Sequence, residues 1–155
     1  MDNIDLKILK CLKENGREKA SAIADTIKLS VSAVTERIRK METDGIIEKY
    51  TVIVNQQRIG NDVSAVVEVA LSHPRYTSEF LSLIDSMPAV VSCYTVTGDF
   101  DYILHVVTNS TAGLDDIFRK LRSFDGVSNT KTHMILRTTK NEHTNLPTEN
   151  DIRKI

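Results

Sequence analysis

Apolar residues recur every three or four positions up to Gly45, and every second position through much of the chain beyond it. Ile4, Ile8, Leu9 and Leu12 fall on one face of a first helix. Asp2 stands before it as an N-cap, Asp5 adds a carboxylate to the first turn, and Gly16 closes it. A second helix covers residues 19–27. Its inward face is Ala20, Ile23, Ala24 and Ile27, small enough in part for close helix approach. Lys28-Leu29-Ser30 is a short turn. Ser30 then caps a third helix that runs to about Asp44, with Val31, Val34, Ile38 and Met41 inward and Gly45 as its stop.

After Gly45 the period changes. Residues 46–54 are rich in strand formers and predict one or two short strands. Residues 55–61 are polar, contain Gly60, and read as a linker. Val63, Ala65, Val67, Val69 and Leu71 then make an apolar period-two face, and Pro74 ends that strand. A helix follows over residues 76–87, with Phe80, Leu81, Leu83, Ile84 and Met87 apolar and Pro88 as its stop. Residues 90–97 and 102–107 are two strands joined by a tight turn at Gly98-Asp99. Ser110 or Thr111 caps a helix to about Arg122, and residues 130–138 form the last strand. The fold class is therefore α+β: an N-terminal winged helix-turn-helix, then a ferredoxin-like βαββαβ sandwich with both helices on one sheet face. The expected division is residues 1–58, residues 59–140, and a polar C-terminal tail over 141–155. Val66 and Ala70 lie on the other sheet face. A half-apolar open face calls for a partner, so self-association through the sheet is expected.

Composition narrows the function classes. The chain has 155 residues, 41% hydrophobic and 26% charged, which suits one or two small soluble domains. No apolar run is long enough to span a membrane, and the first residues lack a signal-peptide pattern. Two cysteines, Cys11 and Cys93, make no disulfide framework and fit a reducing interior. His73, His105, His133 and His143 form no ligand-spaced cluster, so no metal is expected. The net charge of -1 excludes binding to nucleic acid by bulk charge, but not through a local patch.

Two short helices joined by a tight turn, the second capped by Ser30, fit a DNA-reading helix-turn-helix. Ser30 and the outward residues Ser32, Ala33, Thr35, Glu36, Arg39 and Lys40 are the candidate readers. Serine and threonine can meet phosphates or bases. Lysine neutralises phosphate, and arginine can also read guanine with two hydrogen bonds. Arg37 belongs to the same candidate set, although it neighbours Ile38 and has the alternative of pairing with an acid. Lys49 and Tyr50 would set a wing against the backbone. Mixed charges on this face imply modest affinity for one module. A dimer with two reading helices one turn of DNA apart would compensate. The competing reading is a solvated three-helix module that binds protein.

Gly98-Asp99-Phe100-Asp101 is first of all a hairpin turn with solvated acids. It also suits an amino acid. Asp99 or Asp101 can accept from an ammonium, and the amides around Gly98 can donate to a carboxylate.

Several motifs occur together in one order: Ile4-Asp5-Leu6-Lys7-Ile8-Leu9, Leu29-Ser30-Val31-Ser32-Ala33-Val34-Thr35-Glu36-Arg37-Ile38, Gly45-Ile46-Ile47 and Thr97-Gly98-Asp99-Phe100-Asp101-Tyr102. Over roughly residues 2–140 the sequence resembles the Lrp/AsnC family of transcription regulators. The resemblance implies a winged DNA-binding domain and a RAM-type effector and oligomerisation domain. It implies double-stranded DNA as a partner, self-association into dimers and higher assemblies such as octamers, and amino acids as effectors. It also implies a prokaryotic cytoplasmic setting, on the nucleoid when bound, and no enzyme. By the same resemblance, Thr97 and the last-strand residues Thr130, Thr132, Met134 and Ile135 join Gly98, Asp99 and Asp101 at the effector pocket.

Rival classes are a small enzyme on the second domain, a metabolite sensor or protein-binding module without DNA readout, and an architectural DNA-binding protein. No Ser/His/Asp arrangement and no glycine-rich phosphate loop supports the first.

Overall fold

The computed structural model describes residues 1–148 and 151. The chain divides into two compact units. One is Met1–Ile53 together with the segment that begins at Lys140; the other is Val54–Thr139. The described part of the polar tail groups with the first unit, and residues 149, 150 and 152–155 lie outside the described residues.

The first unit holds three helices: α1 (Asn3–Glu14), α2 (Ala20–Ile27) and α3 (Val31–Thr43). Asp2 caps α1 by accepting from the amides of Ile4 and Asp5 at 2.8 and 2.9 Å, and Asp5 accepts in return from the Asp2 amide. This reciprocal box satisfies donors that the helix leaves open. Lys28 ends α2 in the left-handed region at φ 61°, where a glycine would be less strained. The core is small: Ile8, Ile23, Ala24, Val34 and Met41, with Ile4, Leu9, Leu12, Ile38 and Ile47 packed against it. Val31, expected inward, is 48% exposed because it is the first residue of α3, beyond the reach of α1 and α2.

Residues 46–54 carry no strand. Val52 and Ile53 are 81% and 70% exposed. The strand propensity is present, but a strand needs a ladder partner, and this stretch has none among the described residues of one chain.

The second unit is an antiparallel sheet in the order β2-β3-β1-β4, made of β1 (Val63–Leu71), β2 (Val90–Thr95), β3 (Tyr102–Thr108) and β4 (Val127–Met134). Its helices α4 (Thr77–Asp85) and α5 (Thr111–Arg122) cover one face. Ala65, Val67, Val69, Leu104 and Val106 are fully buried there against Phe80, Ile84, Leu114, Ile117 and Leu121. Ser110 caps α5 by accepting from the Gly113 amide at 3.1 Å. The last strand begins at Val127, opposite Leu71, and ends at Met134, earlier than the expected 130–138. It stops where β1 runs out: one further bond joins the Ile135 amide to the Ser64 carbonyl at 2.8 Å. A Cβ on Gly126 would lie 2.5 Å from Phe124 and 2.6 Å from Tyr76, so the turn into β4 requires glycine.

Candidate nucleic-acid interface and ligand pocket

The third helix owes its direction to its cap. The Ser30 hydroxyl accepts from the Ala33 amide at 3.2 Å and lies 3.1 Å from the Ser32 hydroxyl. With Val34 and Met41 buried, the helical period leaves Ser32, Thr35, Glu36, Arg39 and Lys40 exposed, while Ala33 is partly covered. The Thr35 hydroxyl donates to the Val31 carbonyl at 2.9 Å and keeps its lone pairs free to accept. Arg39 and Lys40 enter no ion pair among the described residues, and α3 therefore offers two unneutralised cations.

Arg37 is placed differently. Its guanidinium reaches Asp2 at 2.8 Å and Asp5 at 2.7 Å, joining α3 to the N-terminal end of α1. The Asp5 side chain is only 14% exposed, so this pair is less screened than a surface pair. Burial opposes ionisation of Asp2, but the Asp5 amide, the Arg37 guanidinium and the Ile4 amide together hold its carboxyl below the ordinary range. The expected reader Arg37 is therefore committed to a structural tie, because the same acids that start α1 lie within its reach.

Beyond α3, Lys49 is exposed. The Tyr50 hydroxyl donates to Glu42 at 3.0 Å. Burial and then the Glu42 carboxylate push this phenol up. The bond fixes the chain after Gly45 against the end of α3.

The second feature lies at the β2–β3 connection. The turn is wider than the expected two residues: the strands stop at Thr95 and resume at Tyr102, and the Val96 amide donates to the Asp101 carbonyl at 2.9 Å. Gly98 has φ 123°, a conformation that favours glycine. A cleft of about 680 Å³, the size class of small-ligand sites, is lined by Thr95, Val96, Thr97, Asp99, Phe100 and, from three strands, Ile103, Glu68 and Lys131.

Of the expected pocket residues, Thr97 and Asp99 line this cleft, and Gly98 shapes it. Asp101 does not. Its carboxylate accepts from the Leu71 amide at 2.7 Å, and its amide donates to the Val69 carbonyl, so it fastens the turn to β1. Thr130, Thr132 and Met134 stand opposite Val69, Val67 and Ala65, all fully buried, and therefore project to the helix-covered side of the sheet. Ile135 lies opposite the start of β1, at Ser64, four residues before Glu68. The β4 residue that reaches the cleft is Lys131, the cross-strand partner of Glu68.

Sequence reasoning missed Glu68, Phe100, Ile103 and Lys131. One signal was available: Glu68 is the single charge in the otherwise apolar or small β1. One Glu68 oxygen is shielded from solvent and has no hydrogen-bond partner among the described residues; the His133 ring Nε2 lies 3.5 Å from it. An incompletely satisfied carboxylate beside an ammonium and an exposed Asp99 gives the cleft groups of both signs.

The family model for winged helix-turn-helix DNA-binding matches residues 1–48, and that for the Lrp/AsnC ligand binding domain matches residues 64–144. The HTH-type transcriptional regulator FL11 of Pyrococcus horikoshii is 33% identical over 147 residues, covering 95% of this chain and 96% of that protein. LrpC of Bacillus subtilis, also an HTH-type transcriptional regulator, is 35% identical over 135 residues, with 87% and 91% covered. Among solved structures, a transcriptional regulator from Neisseria meningitidis in complex with L-Met superposes with a TM-score of 0.89 at 25% identity, over 98% of this chain and 99% of that one. Escherichia coli AsnC gives 0.87 at 25% identity, over 95% and 99%.

Proposed function

The chain belongs to the Lrp/AsnC family of transcription regulators, and from that premise we propose that it reads duplex DNA with the outer face of α3 and answers to an amino acid held at the β2–β3 turn. The observation that carries the reading is the contrast between neighbouring arginines. Arg37 is tied to Asp2 and Asp5, whereas Arg39 and Lys40 stand exposed beside Ser32, Thr35 and Glu36. Arg39 and Lys40 neutralise phosphate, with Lys49 adding a third cation, and Arg39 is the residue equipped to read a guanine edge.

In the cleft, Glu68 and Asp99 accept from the ligand ammonium and Lys131 donates to its carboxylate, while Phe100 and Ile103 meet its side chain. The relative solved with L-Met supports an amino acid as the ligand class. The protein works as a homo-oligomer in a prokaryotic cytoplasm. Two apolar surfaces favour a second copy: the open sheet face with Val66, Ile103 and exposed Tyr94, and the unpaired run at Val52–Val54. Ligand acts by binding one assembly better than another, which shifts the spacing of the reading helices.

The test is an anisotropy titration with a duplex from upstream of the protein's own gene and a scrambled duplex. Tighter binding to the first is expected, and addition of amino acids singly is expected to change either that affinity or the sedimentation mass. Absence of binding to either duplex at low salt would overturn the DNA-reading assignment.

A further inference from the structure

Among the described residues after Thr139, all are polar and exposed except Leu146 and Pro147, which are partly buried. Leu146, with His143, Thr144 and Asn145, lines one side of a groove of about 550 Å³ on the first unit, and Leu9 and Leu12 of α1 with Ile46, Ile47 and Tyr50 form its apolar wall. Leu9, Leu12 and Ile47 pack directly on the small core of the reading unit. This groove thus borders the thin side of that core, and the tail segment supplies its facing wall.

The segment is tied to α1 at one end and ordered within itself. At one end Glu142 pairs with Lys13 of α1 at 3.0 Å, and Lys13 holds its carboxyl below the ordinary glutamate range. In the middle, Pro147 biases Leu146 toward an extended backbone, which reduces the freedom lost on docking. At the other end the Thr148 amide and hydroxyl both donate to the Asp151 carboxylate, at 2.9 and 2.6 Å, and close a turn directly after the apolar pair. A solvated tail has no use for an ion pair, a half-buried apolar pair and a local turn in sequence. A docked strap uses all three.

We propose that Glu142–Thr148 is an intramolecular strap that closes the α1 side of the DNA-reading unit and sets its local stability. Since α1 carries the acids that hold Arg37, loosening α1 loosens the seat of α3. The strap follows β4 in the chain, so the reading unit is completed by a segment encoded after the last strand of the sheet unit.

Hydrogen exchange on the full-length protein tests this directly. In Leu146→Asp, amides of α1 and of residues 46–50 should exchange about tenfold faster, while β1 and β3 serve as an unchanged internal reference. Glu142→Lys should give about a twofold increase, because the pair is exposed, and combining it with Lys13→Glu should restore the original rate. Unchanged α1 exchange in Leu146→Asp would overturn the strap, as would a charge swap that fails to restore Glu142→Lys. A weaker duplex affinity in Leu146→Asp is expected in addition and rests on the function proposed above. The exchange readout does not, so failure of the strap and failure of DNA reading are separable.

Discussion

The two units solve the same problem with different resources. The sheet unit buries a large aromatic and aliphatic cluster, with Phe80 fully covered and its ring 4.8 Å from that of Tyr102. The reading unit buries Leu6 and the five residues of its core cluster, none of them aromatic, and relies on caps, the Asp2–Arg37–Asp5 tie and the strap. Burial is non-directional and scales with area, whereas ties and caps fix orientation at modest energy. A reading helix must present certain side chains at a set angle. The molecule accordingly places polar contacts where orientation matters and apolar area where bulk stability matters.

That contrast sets the order of the expected effects. Phe80→Ala should destabilise the sheet unit by about 3–5 kcal/mol, the loss typical of a large cavity, seen as a lower denaturant midpoint for β1 and β3 signals. Arg37→Ala should cost the reading unit about 1–2 kcal/mol, because the partly buried Asp5 carboxylate loses its partner. A smaller gain, about 0.5 kcal/mol, is expected from Lys28→Gly, which relieves the left-handed residue between α2 and α3. Thermal melts of the three variants rank them.

Acid should separate the units by pH window. Burial holds His105 below its ordinary 6.5, so the folded sheet unit binds fewer protons than the unfolded chain as pH falls from 6.5 toward the folded value. Stability is lost over that window. Asp2 lies below its ordinary 3.8, so the corresponding loss in the reading unit begins only near 3.8 and continues as pH falls through the folded value. Residue-resolved exchange against pH should show β3 responding before α1. A simultaneous response would contradict this separation.

Much of the scaffold could be read from residue periods and caps. Asp2, Ser30 and Ser110 cap the helices expected of them, and the buried face of β1 is the alternating set that its sequence displays. What could not be read depends on register. Whether Thr130 or Lys131 faces the cleft is decided by a one-residue offset between β4 and β1, and no residue in β4 announces it. The run 46–54 has strand propensity without a partner in one chain, and propensity alone does not make a strand. On the reading face, the exposed set on α3 follows from its period, but the destination of Arg37 depends on acids about thirty residues earlier in the chain, whose proximity only the packed helices create.

The most direct test of α3 as the DNA-reading surface is the salt dependence of duplex affinity in the wild type and in Arg39→Ala. If α3 reads DNA, the variant binds more weakly at every salt concentration, its logarithmic salt slope is shallower by about one, and its melting temperature is unchanged. An Arg39→Ala protein with wild-type affinity and slope would contradict that role for α3.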